Sequence, residues 1–222
     1  MVIDKKFKGL VKEDYRYVFN GNIETTESLE IDLDMGLFVT GYIKAGGSIK
    51  AGGSIEAGWS IKAGGSIKAG GSIEAGEFIE AGGSIKAGGF IKAGGFIEAG
   101  GSIKAGGFIK AGEFIKAGWS IKAGEFIEAG GFIKAGGYYG IVAGLSITCK
   151  DTLSFGLKVF AGICAWREVT DEEKTITCGK LENGAVGYGI LKETGLEPED
   201  DDRTEEAMKL LREKGYKIIK EK

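Results

Sequence analysis

Between Gly41 and Gly136 a lysine or a glutamate returns at every sixth residue, always with isoleucine before it and alanine after it. Ammonium and carboxylate groups at fixed intervals allow two kinds of chemistry. Close carboxylates can exchange protons with a substrate, and a row of like charges can hold a polyanion or an acidic surface. The first kind is poorly supplied. The 222 residues include no histidine, which removes the commonest general base, the commonest metal ligand and the usual partner of a serine or cysteine nucleophile. Carboxylates that fall close together, such as Glu77 and Glu80, lie where a repeat carries its solvated charge. A non-enzymatic protein is expected, with no cofactor, no metal and no small-molecule substrate.

The second kind depends on which charges share a face, and so on the element that carries them. The block is sixteen hexads of the form x-[SFY]-I-[KE]-A-G, with no insertion. A six-residue period suits neither a helix nor a long strand. It suits a short strand plus a corner. In S-I-K-A successive side chains alternate, so Ile and Ala point inward while Ser or Phe and Lys or Glu point outward. The invariant Gly is then the corner, and a positive φ is expected to exclude a side chain there. The residue after it is Gly, Glu or Trp, and is expected to face solvent with no special backbone.

Every third hexad belongs together. The first column carries Tyr42, Ser60, Phe78, Phe96, Phe114 and Phe132 before its Ile. The second carries only Ser48, Ser66, Ser84, Ser102 and Ser120, and the third carries Ser54, Ser72, Phe90, Phe108 and Phe126. This sorting predicts an all-β fold: a single-stranded β-helix, or β-solenoid, of three hexads and eighteen residues per coil. Each residue then stacks on its partner eighteen later, about 4.8 Å away. The second column becomes a ladder of Lys50, Lys68, Lys86, Lys104 and Lys122, whereas the other two mix Lys with Glu. Such a basic strip suits a nucleic acid or another acidic partner. The plainer alternative is a solvated face whose lysines pair around the corners.

Two outward aromatic ladders follow from the same sorting, Phe78, Phe96, Phe114 and Phe132 on one side and Phe90, Phe108 and Phe126 on another. Together they are expected to form an apolar patch too large to leave bare. The candidates to cover it are the chain's own C-terminal helix, a second copy in a homodimer, or a different protein. Stacking also stiffens the coil itself. Trp59 and Trp119 stand at corners and are further candidates for contact with a partner.

The flanks differ from the block. Residues 1–28 read as an N-terminal cap and 29–165 as the solenoid, with Ile31-Asp32-Leu33 and Leu37-Phe38-Val39 in register upstream. Tyr138-Tyr139 push the phase by two residues, as a bulge or a longer corner, before Ile141, Ile147 and Leu153 resume it. Residues 166–222 read as a C-terminal α/β cap with a hairpin at Asn183-Gly184 and an amphipathic helix at 203–214. The repeat block holds eleven Lys and eight Glu while the whole chain is −3, so the flanks are acidic. Cys149, Cys164 and Cys178 read as buried apolar thiols of a reducing compartment. The start lacks the apolar core of a signal, and no apolar run approaches the ~20 residues of a membrane span. A cytoplasmic protein without membrane contact is expected.

The I-x-A cadence resembles that of the bactofilins, bacterial cytoskeletal proteins, and this resemblance implies a right-handed coil. Left-handed hexapeptide acyltransferases share the period only; they place a small residue two before the aliphatic one and use a catalytic His. The segment GLKVFAGICAWRE, residues 156–168, after GSIKAG-type repeats, is similar to the ends of uncharacterised repeat proteins of Firmicutes and their phages and mobile elements. Two functional expectations result. One is a rigid interaction protein that docks on a macromolecular partner; in a mobile-element setting it would inhibit a host defence nuclease such as CRISPR by steric occlusion. The other is a self-assembling structural protein of bactofilin type.

Overall fold

The computed structural model describes residues 1–196. The helix expected at 203–214 lies outside the described residues, which contain strands and no helix. Each hexad forms a three-residue strand such as Ile61–Ala63. Its Ile is fully buried and its Ala nearly so, throughout the block. Each buried Ile contributes about 2 kcal/mol of transfer free energy. Strands eighteen residues apart pair in parallel and in register: Ile61 on Ile79, Lys62 on Glu80, Ala63 on Ala81. The chain is therefore a β-solenoid with three faces and one continuous axial core.

Face one runs from Ile23–Thr25 through Ile43–Ala45 to Ile133–Lys134. Face two runs through Ile49–Ala51 to Ile121–Ala123 and on to Ile141–Ala143. Face three runs from Arg16–Phe19 through Ile55–Ala57 to Ile190–Glu193. Faces one and two join into one sheet because the strand Thr152–Phe160 turns the corner between them. Its Leu153 lies on Ile133 of face one and its Val159 on Ile141 of face two.

The corners hold their glycines for a reason other than the one expected. No repeat glycine has a positive φ. Instead, at every corner but Gly52, a Cβ would overlap the carbonyl oxygen of the residue one coil earlier, as at Gly82 above Gly64. The coils approach so closely that the corner has no room for a methyl group. Gly52 is exempt because the coil beneath it takes a wider path through Asp32–Met35.

The next position is also constrained, contrary to the expectation of a free solvent-facing residue. Above a serine of the previous coil, a Cβ at Gly65, Gly83 or Gly101 would meet that serine's Oγ. The hydroxyl stands there because it accepts the backbone N–H of the serine in the next coil, at 3.0 Å from Ser66 to Ser48 and from Ser84 to Ser66. Above Phe90 the restriction lifts, the nearest atom to a Cβ on Gly107 being 3.6 Å away; above Phe78 and Phe114 it eases, with carbonyl oxygens 3.1 Å from a Cβ on Gly95 and 3.2 Å from one on Gly131. Glu113 and Glu125 occupy such positions, one coil after Phe96 and Phe108.

Both ends of the block contain coils of twenty residues. Upstream, Leu29 rather than Ile31 takes the Ile place, pairing with Ile49, while Ile31 pairs with Ala51. The two extra residues are absorbed in the corner before Leu37. Downstream, Ile121 pairs with Ile141, and the extra residues form a longer corner in which Tyr139 N–H donates to Gly136 C=O. Asn183-Gly184 is not a hairpin turn. It lies inside the strand Lys180–Tyr188, which runs parallel to Thr152–Phe160 with register shifts. Gly184 has φ +89, and a Cβ there would strike the ring of the fully buried Phe155. At the other end the strand Leu10–Lys12 folds back antiparallel on Arg16–Phe19 and covers the edge of face three.

Candidate docking faces

The lysines of face two stand in register, Lys50 on Lys68, Lys68 on Lys86, Lys86 on Lys104 and Lys104 on Lys122. All are exposed. Lys50 reaches Glu30 at 3.4 Å. Lys68, Lys86, Lys104 and Lys122 make no ion pair among the described residues, so pairing around the corners does not occur. Like charges stacked directly opposite one another repel. The same position on the other two faces behaves differently. On face one Lys44 meets Glu24 at 2.6 Å, Lys62 meets Glu80 at 2.8 Å and Lys116 meets Glu98 at 2.7 Å. On face three Arg16 meets Glu56 at 3.2 Å, and Lys92–Glu74 and Lys110–Glu128 close at 2.7 Å each. The hydrogen bond from Lys92 to Glu74, and then the charge of Glu74, hold the Lys92 ammonium above its ordinary range.

The phenylalanine ladders form as expected. Phe78, Phe96, Phe114 and Phe132 stack with centroids 4.8–4.9 Å apart and planes within 5°. Phe90, Phe108 and Phe126 do the same. They point outward, yet all seven are only partly exposed. Each ring covers its neighbour's face, and solvent meets ring edges. The bare apolar patch inferred from alternation is thereby reduced, because stacking at the coil repeat satisfies the rings from within the chain.

Both corner tryptophans are open, Trp59 at 55% and Trp119 at 53% exposure. Trp119 stacks against Tyr139, with centroids 5.9 Å apart. It stands beside an apolar end of face two that the sequence pattern did not single out. Above Lys122 the ladder continues as Val142 and then Phe160. With Leu157 they line a shallow groove of about 570 Å³, flanked by the exposed Tyr138 and Tyr188. The signals for it were the phase slip at Tyr138-Tyr139 and the loss of Lys at position 142. Within the described residues, face two therefore presents a line of unpaired ammonium groups leading to an aromatic end.

Cys149 and Cys178 are buried in neighbouring coils of face three, and burial pushes the Cys149 thiol up to about 12. Cys164 departs from the expectation and is partly exposed. Among the described residues no group of three or more His, Cys, Asp or Glu could hold a metal ion, and no helix is long and apolar enough to cross a membrane. Compared with models of known families, with curated proteins and with solved structures, the chain matches none.

Proposed function

We propose that the protein is a non-catalytic docking rod whose face two engages an anionic macromolecular partner. One observation carries this reading. Among the described residues four stacked lysines have no counter-charge, while the lysines inside the ladders of the other two faces are neutralised along the axis. An anionic partner relieves that repulsion and gains from it at once. The aromatic end around Trp119 supplies the apolar contact that fixes a docked partner in register.

Replacing Lys68, Lys86 and Lys104 with Glu tests it. The variant keeps the fold by circular dichroism and loses the partner in a pull-down from the source cell; undiminished capture discards the strip as the site. If the partner is a single-stranded nucleic acid, four displaced counterions give a salt slope of about −3 on logarithmic axes. A captured defence nuclease would make occlusion the specific form of this docking. The three free thiols support a reducing, cytoplasmic setting. Bactofilin-type self-assembly is the competing reading. The antiparallel strand Leu10–Lys12 weighs against head-to-tail stacking at that end. A mass that grows with concentration in light scattering would favour assembly instead.

A further inference from the structure

The aromatic ladder of face one has one missing rung. Reading upward, the residues before each Ile are Tyr42, Ser60 and Phe78, and then unbroken phenylalanine. One face of the Phe78 ring lies on Phe96 at 4.9 Å, with planes 1° apart. Its other face therefore looks back toward the coil of Ser60, where the ladder position holds no ring. Between Tyr42 and Phe78, two coils apart, is a cavity of about 240 Å³ with Trp59, Ser60 and Glu77 on its wall. Ser60 is 7% exposed and donates its hydroxyl to Glu77 Oε2 at 2.8 Å. Elsewhere this serine's counterparts accept a backbone N–H from the coil above; here the hydroxyl has turned to hold a carboxylate in the gap.

The charges around the gap favour a cation. Lys44 and Lys62 also line it, but each is bound to its own carboxylate, Glu24 and Glu80. Glu77 makes no ion pair among the described residues and leaves one negative charge over. Ring faces attract positive charge as well. The space is one rung thick, which selects a flat group. A guanidinium meets both demands, being planar, cationic and rich in donors, whereas an ammonium is compact and more strongly hydrated. A neutral ring would fill the space but leave Glu77 unanswered. The chain already contains the combination: the Arg16 guanidinium lies 4.4 Å above the Phe38 ring and bonds Glu13 at 3.0 Å and Glu56 at 3.2 Å.

We infer that the gap at Ser60 is a guanidinium site, in which an arginine side chain of a partner protein enters between Tyr42 and Phe78 and donates to Glu77. It stands on face one, independently of the basic strip of face two. Replacing Trp119 and Trp166 with Phe leaves Trp59 as the sole tryptophan and a fluorescent reporter at the rim. Titration with N-acetyl-arginine amide should give a saturable response, about tenfold tighter than N-acetyl-lysine amide. Glu77→Gln should weaken it at least fivefold. Ser60→Phe, which supplies the missing ring, should abolish it while the melting curve shows an intact fold. Equal binding of the lysine amide, tighter binding of N-acetyl-tyrosine amide, or an arginine response unchanged in Glu77→Gln overturns the site. The Glu77→Gln arm decides the matter even if Ser60→Phe fails to fold.

Discussion

Face two and face three are written in the same hexad on the same backbone, yet they use their outward positions differently. On face three, from the middle of the block, phenylalanine stacks on phenylalanine and lysine meets glutamate one coil away. Both outward rows are satisfied along the axis. On face two the serine row is satisfied from Ser48 to Ser102, each hydroxyl taking an N–H of the next coil, but among the described residues the lysine row is not. In a solenoid every side chain has a copy of its own site directly above and below. The surface therefore keeps capacity for a partner only where the stacked residues cannot answer one another. That criterion separates face two from its neighbours more sharply than overall charge does.

The largest expected effect tests the frame that both faces share. Gly82→Ala forces a methyl against the Gly64 carbonyl and should cost about 3 kcal/mol in chemical denaturation. Gly107→Ala, above Phe90, should stay within about 0.5 kcal/mol. A similar loss in both would mean that the corner is limited by conformation and not by coil spacing.

Next in size is conversion of one face into the other. Lys68→Glu with Lys104→Glu gives each remaining face-two lysine a glutamate rung beside it, as Lys92 and Lys110 have on face three. Stability should rise by about 1 kcal/mol at low salt and the gain should vanish near 1 M salt. An unchanged melting temperature would show that the free lysines splay without strain.

A comparable but purely local effect joins Ser66 to Gly83. Ser66→Ala leaves the Ser84 N–H without its acceptor, at a cost of about 1 kcal/mol. Gly83→Ala drives the same hydroxyl away. The double variant should therefore cost clearly less than the two singles added, and strict additivity would break the coupling. Nature has made a version of this change: one coil before Trp119, Ser102 Oγ lies 3.0 Å from Ser120 Oγ, and its bond from Ser120 N–H has lengthened to 3.4 Å.

The smallest effect is a titration. Lys92 is raised by Glu74, so its contribution is fully present below the ordinary lysine value of about 10.4 and is lost as pH rises through the raised one. Side-chain NMR should show Lys92 returning toward the ordinary range in Glu74→Gln. No change would mean that the pair is not held in solution.

Much of this was legible from the period alone. Ile, Ala and the triple sorting fix the coil, the core and the lysine ladder, because alternation and stacking depend only on residue order. What escaped were effects between coils at atomic range. The corner glycines looked like turn residues, since nothing in one coil reveals the carbonyl lying against them from the next. The phenylalanines looked bare because alternation gives direction but not mutual cover. The serine in an otherwise aromatic column was visible at position 60, but not the swing of its hydroxyl toward Glu77. The apolar end of face two needed the strand Thr152–Phe160 to turn its corner, which no hexad rule predicts.

The eighteen-residue register also governs how such a gene can grow or shrink. Nearly identical hexads invite slippage during copying, but a gain or loss of six or twelve residues would move every later hexad onto a different face. It would set lysine rungs against glutamate ones and serine rungs against phenylalanine ones. Only multiples of three hexads leave the faces intact. Each such step lengthens the rod by about 4.8 Å and, when the duplicated coil is one of the middle ones, adds one ammonium to face two. Reach and valency thus change together in equal increments, so copy number sets both at once.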